Sequence, residues 1–206
     1  HGILVSWALM MEGGIQVNTN GERFSNEHEG YSEQARRVIA QPDGVVWAIY
    51  DQRLHDFALD FDDYRNAKAA GAIQQAVTSD ALAELCDLPI ANLVESIDMV
   101  RALAIDKGQD QFGRIFEKDP LEPPYYAVRV TGALFHTQGG LNVDDRARVL
   151  DLRGDPFPNL FAGGGAARGL SGPSDWGYLS GNGLLTAVAF GHIAGEQAAL
   201  SFAGEK

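Results

Sequence analysis

The chain has 206 residues, 45% of them hydrophobic and 21% charged, the proportions of a folded globular protein with a sizeable core and not of a disordered chain. Sixteen basic residues against 28 acidic ones leave a net charge of −12, the wrong sign for a nucleic-acid binder. No stretch reaches the roughly 20 apolar residues of a membrane span, since 182–195 is interrupted by Asn182, Gly183, Thr186, Gly191 and His192.

Cys86 is the only cysteine, which excludes an intramolecular disulfide framework or a cysteine cage for metal and suits a reducing, cytoplasmic compartment. The chain opens His1-Gly2-Ile3-Leu4, without initiator Met or leader pattern, and is expected to be part of something longer. Eight of the 24 glycines fall between Leu160 and Gly183, a crowding that suits close approach of backbone to a ligand or to other backbone.

In chain order, Ile15-Gln16-Val17, the Asn20-Gly21 turn and Arg23-Phe24 read as a hairpin. Ser32 is the expected N-cap of a short helix carrying Ala35, Val38 and Ile39, closed by Pro42. Val45 to Tyr50 is a β-rich run, and the acidic, aromatic stretch 51–77 reads as one short helix and a long surface connection. Ser79 is expected to cap a helix with Leu82 and Leu85. Pro89 opens a second helix, whose apolar face is Leu93, Ile97, Val100, Leu103 and Ala104. Pro120, Pro123 and Pro124 mark a linker before a strand at Tyr125 to Val130. Leu141-Asn142-Val143 and Arg148-Val149-Leu150 form a hairpin about Asp144-Asp145, Leu160-Phe161-Ala162 is a short strand, and Leu184 to Leu200 is a closing helix. These elements describe an α+β first part and an α/β ending.

No two histidines among His1, His28, His55, His136 and His192 have metal-ligand spacing, so no metal is expected. Gly169-Leu170-Ser171-Gly172 is not a nucleophile elbow. Arg153-Gly154-Asp155 reads as a turn between strands. A helix opening at Asn182-Gly183, after Ser180-Gly181, would present unpaired N–H groups to a planar anionic or carbonyl-bearing ligand. The same glycines would also suit a helix packed tightly on a sheet, and these residues alone leave both readings open.

Several blocks occur together and in order. They are Gly13-Gly14-Ile15-Gln16-Val17-Asn18, Gly21-Glu22-Arg23-Phe24-Ser25-Asn26-Glu27, His136-Thr137-Gln138-Gly139-Gly140, Pro158-Asn159-Leu160-Phe161-Ala162-Gly163-Gly164, Tyr178-Leu179-Ser180-Gly181-Asn182-Gly183-Leu184-Leu185 and Phe190-Gly191-His192-Ile193-Ala194-Gly195. Over nearly the whole chain they resemble the flavoprotein family of fumarate reductases, succinate dehydrogenases and 3-ketosteroid dehydrogenases.

That resemblance implies an FAD enzyme with an α+β cap or catalytic domain over 1–139, then the C-terminal strands and helix of an α/β FAD-binding domain over 140–206. The N-terminal Rossmann part would be absent, leaving the isoalloxazine end of the site without the ADP end. The missing N-terminal FAD-binding segment of the same protein then becomes a partner, beside a small-molecule substrate, and the fragment is expected to be inactive alone. The resemblance assigns flavin contacts to Gly139, Gly140, Gly164, Gly165, Gly181, Asn182, Gly183, Leu184 and Leu185. It assigns substrate contacts to His136 and Ser6.

The departures are specific. The proton-donating arginine of fumarate reductases falls on Tyr31, and the carboxylate-clamping arginine falls on Tyr178. The relay glutamate and arginine fall near Trp7 and Met10, and the acidic residue of the late strand falls on Gly165. Losing both arginines removes bidentate recognition of a dicarboxylate. The two tyrosines resemble the ketosteroid dehydrogenase branch, with Tyr178 polarising a carbonyl and Tyr31 as acid/base. The expected function is therefore flavin-dependent dehydrogenation or reduction of a carbonyl-activated C–C bond. The alternatives are a fumarate reductase-like enzyme on a small carboxylic acid, with Arg129 or Arg168 as the clamp, or a non-catalytic binding module.

Overall fold

The computed structural model describes residues 2–134, 137–172 and 174–203, the side chains of Phe202 and Ala203 excepted. Two compact units divide the chain, His1–Ala133 and Leu134–Lys206.

The first unit is built on four antiparallel strands, β1 (Ile15–Val17), β2 (Val45–Asp51), β3 (Ile73–Ala76) and β4 (Tyr125–Thr131), in the order β1-β2-β4-β3. The two long runs of β-branched and aromatic residues become the two central strands, because both of their faces are covered. Val46, Ile49, Tyr50, Ala127 and Val128 are buried there. Around the sheet lie α1 (Ala8–Met11), α2 (Tyr31–Ile39), α3 (Gln52–Ala58), α4 (Asp62–Ala69), α5 (Ser79–Leu85) and α6 (Ile90–Asp106). α5 packs on α6 and against β3 and β4. The face of α6 is the expected one, with Leu93, Ile97, Val100 and Ala104 buried and Leu103 packed at the margin of the core.

In the second unit β5 (Arg148–Leu150) pairs antiparallel with β6 (Pro156–Phe161), followed by α7 (Asn182–Ala203). Val149, Ala162 and Ala167 form its small buried cluster. The Arg153-Gly154-Asp155 tripeptide lies in the β5–β6 turn, where Gly154 has φ 91° and its N–H donates to Asp151 O. One device recurs in both units. Asn18, Asp110, Asp144 and Asp151 each accept from the N–H groups two and four residues ahead, fixing a tight turn by one short side chain.

Several local expectations need correction. Stretch 51–77 holds two helices and an edge strand: Asp51 caps α3 by accepting from Leu54 N, and Tyr64 is fully buried. The N-cap position of α2 is Gly30, not Ser32. Its φ of 131° favours glycine, and a Cβ there would lie 2.6 Å from Glu33 Oε2. Thr78, not Ser79, caps α5 by accepting from Ala81 N. Leu85 and Ile39 are exposed. Arg23-Phe24 forms no strand, only a single bridge from Val17 to Arg23, and β6 begins at Pro156 and not at Leu160. The expected hairpin over 141–150 is present in short form, as the bridge Val143–Val149 flanked by Asp144 N to Arg148 O and Leu150 N to Asn142 O, while the other edge of β5 pairs with β6.

Candidate functional site

In the first unit, the loop after β1 carries a buried polar cluster. Glu27 Oε1 accepts from Gln16 N (3.0 Å) and Arg23 Nε (3.0 Å), and Oε2 accepts from Arg23 Nη2 (2.7 Å) and Arg114 Nη1 (2.8 Å). Arg23 Nη1 also donates to Asp110 Oδ2 at 2.7 Å, and Arg114 Nη1 to Gly14 O at 2.9 Å. Both guanidiniums lie over the Phe116 ring, at 5.2 and 4.6 Å from its centre. Burial pushes the Glu27 carboxyl upward. The hydrogen bonds and charges of Arg23, the charge of Arg114 and the Gln16 N–H outweigh it and hold Glu27 below the usual carboxylate range. Beside this cluster Gln34 Nε2 donates to Gln16 Oε1 and to Ser25 Oγ, joining α2 to β1 and to the loop. Tyr31, the first residue of α2, is 42% exposed.

Ser6 Oγ accepts from Ala8 N at 3.3 Å, at the start of α1. Met10 is buried in the core, and the Trp7 indole N–H is buried without an acceptor among the described residues. His28 Nε2 lies 3.1 Å from Met10 O. Burial, then the Arg114 charge, lower its pKa.

In the second unit, Asn182 opens α7 and is almost fully buried. Its Nδ2 donates to Ser171 Oγ (2.7 Å) and Leu179 O (2.6 Å), while Oδ1 has no partner. Gln138 Oε1 is also buried and unpartnered. The two oxygens converge beside Gly169, where a Cβ would lie 2.9 Å from Gln138 Oε1 and 3.8 Å from Asn182 Oδ1. Gly183 and Leu184 sit in the first turn of α7, whose N–H groups have no acceptor within the helix. A Cβ on Gly139, Gly165 or Gly181 would meet nothing within 4 Å, whereas one on Gly140 would lie 2.4 Å from the Ala167 carbonyl carbon. Gly164, at φ 55°, faces Ala187 of α7, and Leu184 and Leu185 are exposed. Tyr178 is half-buried, and His136 lies outside the described residues.

This donor and acceptor set fits an isoalloxazine edge. Helix N–H groups suit its ring carbonyls, and unpartnered amide oxygens suit its ring N–H. Sequence reasoning placed Gly139, Gly181, Asn182 and Gly183 here but passed over Gln138, although it lies within one of the blocks. It also missed Arg114 and Asp110, which reach Glu27 and Arg23 from a loop 87 residues away. Among the described residues no group of three His, Cys, Asp or Glu could hold a metal ion, and no helix is long and apolar enough to cross a membrane.

The family model described as an FAD binding domain matches residues 1–184, which makes the chain a flavoprotein. The chain belongs to that family, whose cofactor is FAD. It is 30% identical over 198 residues to the probable fumarate reductase Ifc3 of Shewanella frigidimarina, covering 96% of this chain and 33% of that protein. An open conformation of a flavocytochrome c3 fumarate reductase superposes with TM-score 0.71 at 28% identity, over 96% of this chain and 34% of the other. The 3-ketosteroid delta1-dehydrogenase from Sterolibacterium denitrificans superposes with TM-score 0.67 at 26% identity, over 91% and 39%. These relatives are oxidoreductases, and the chain spans about a third of their length.

Proposed function

We propose that this chain carries the capping part and the isoalloxazine end of an FAD-dependent oxidoreductase that interconverts a saturated and an α,β-unsaturated carbonyl compound. Residues 1–139 act as the cap and 140–206 complete the FAD domain, with the ADP end supplied by a segment outside this sequence. The observation that carries the reading concerns arginine. The buried arginines among the described residues, Arg23 and Arg114, both already face carboxylates, while positions 31 and 178 hold phenols.

Bound FAD supplies the two-electron chemistry, accepting or giving a hydride at the substrate carbon. Gly181, Asn182, Gly183 and Leu184 would hold the ring edge, with Gln138 Oε1 and Asn182 Oδ1 as acceptors and the helix N–H groups favouring negative charge there. Gly139, Gly140, Gly164, Gly165 and Leu185 shape the surrounding wall. Tyr178 donates its O–H to the substrate carbonyl oxygen, which stabilises enolate character at that oxygen. Tyr31 as its phenolate takes the proton from carbon during dehydrogenation, becoming the phenol, and as the phenol returns it during reduction. His136 and Ser6 contribute further hydrogen bonds to the substrate.

The likeness to fumarate reductases supports a second reading, a small carboxylic acid held by Arg129 or Arg168, both exposed in their units. The full-length protein separates the two. Turnover of cyclic or steroidal ketones without turnover of fumarate supports the carbonyl reading, and the reverse profile replaces it. A colourless folded protein that ignores added FAD leaves only a binding module.

A further inference from the structure

In the first unit, α3, α4, β3 and β4 line an open pocket of about 270 Å³ whose polar groups carry an unresolved donor mismatch. The mismatch follows from a chain of hydrogen bonds that starts in the core. Tyr50 is fully buried, and among the described residues its hydroxyl has one hydrogen-bond partner, Tyr64 Oη at 2.8 Å. A buried O–H left undonated is costly, so Tyr50 donates to Tyr64. The Tyr64 proton then goes to the remaining partner, His55 Nδ1, at 2.6 Å. With Nδ1 accepting, the neutral imidazole carries its proton on Nε2. Burial, and after it the Lys68 charge, lower the His55 pKa and favour that neutral form.

His55 Nε2 is 3.2 Å from Lys68 Nζ, on the wall of the cavity. An ammonium has only donors to offer, so two N–H-bearing atoms meet at hydrogen-bonding distance with no acceptor between them. An anion that accepts from both resolves the conflict. Lys68 brings one positive charge, and Asp56, on the same wall, brings one negative charge held to Gln52 Nε2 at 2.7 Å. With no second cation among the described residues of the wall, a doubly charged phosphate would be left unneutralised, whereas a monocarboxylate needs only Lys68. The apolar part of the wall is Leu59, Ile73 and the Tyr126 ring, which is stacked on His55 at 4.2 Å between centres and whose hydroxyl donates to Gln52 Oε1 at 2.6 Å; Gln75 completes the lining.

We propose that this cavity binds a small monocarboxylate, its oxygens accepting from His55 Nε2 and Lys68 Nζ and its short apolar tail lying against Leu59 and Ile73. The inference uses none of the residues assigned to flavin or substrate, so it stands or falls apart from the proposed function.

The test is an NMR titration of the full-length, flavin-loaded protein carrying 15N-labelled histidine, with the His55 resonances assigned through bonds. The imidazole should show the Nε2–H tautomer before any addition. Butyrate should shift Nε2 saturably, and inorganic phosphate should not. Lys68→Met, at an exposed position, should weaken butyrate about tenfold or more. Asp56→Asn should tighten it several-fold by removing a like charge. An Nδ1–H tautomer, an Nε2 resonance indifferent to butyrate, tighter binding of phosphate, or a Lys68→Met variant that binds butyrate as well as the parent would each overturn the proposal.

Discussion

Arg114 Nη1 donates to Glu27 Oε2 at 2.8 Å, with both side chains 1% exposed and the two residues 87 positions apart in sequence. The pair ties the loop after α6 to the loop after β1, and Arg23 closes it from the other side with a bond to Asp110. Removing one member leaves a desolvated charge unpaired. Arg114→Met should therefore destabilise the first unit by about 3–5 kcal/mol. Urea unfolding followed by tryptophan fluorescence measures this, since Trp7 and Trp47 both lie in that unit.

The same carboxylate gives the unit a pH dependence of defined sign. Glu27 has a lowered pKa in the folded state, so its stabilisation is complete above the unfolded-state pKa and is lost as pH falls through the folded-state value. The urea midpoint should fall on acidification through and below the ordinary carboxylate range. Glu27→Gln should lower the midpoint at neutral pH and flatten its acid dependence.

Tyr31→Phe and Tyr178→Phe should each reduce turnover about a hundredfold in the full-length enzyme while leaving its visible flavin spectrum intact. Turnover equal to the parent in either variant removes that tyrosine from the chemistry.

Gly139 and Gly140 are adjacent but should respond oppositely to alanine. A Cβ on Gly140 would sit 2.4 Å from the Ala167 carbonyl carbon, so Gly140→Ala should disrupt the second unit. Open space surrounds the Gly139 position, so Gly139→Ala should leave the thermal midpoint nearly unchanged and lower the flavin retained after gel filtration. Gln138→Met should act in the same way by removing an acceptor.

Cys86 is buried, and burial pushes its thiol up to about 12. It should resist iodoacetamide in the folded protein and react once the first unit is unfolded in urea. Rapid alkylation under native conditions, read by mass spectrometry, would contradict this.

What could be read from the sequence was what is local or patterned. The α5–α6 pair, β2 and β4 follow from apolar spacing and from Pro89, and the glycine blocks pointed to the start of α7. Stretch 51–77 was opaque because Ile73-Gln74-Gln75-Ala76 has no alternation and because Tyr64 lies buried among acidic neighbours. Asp51 as the cap of α3 was a usable signal there. The Glu27 cluster could not be read at all, since its members come from loops far apart in sequence. Near the start of α7 Gln138 stood in plain view, but only its missing hydrogen-bond partner marks it out.

The strand order β1-β2-β4-β3 has a consequence for biosynthesis. β4, the last strand of the first unit to be made, is inserted between β2 and β3, and those two share no ladder without it. A nascent chain that has emerged only as far as α6 therefore holds β3 without any strand partner and Glu27 without Arg114. The helices and the β1–β2 pair can form as they leave the ribosome, but β3 cannot join the sheet until residues 125–131 arrive, so the unit closes late.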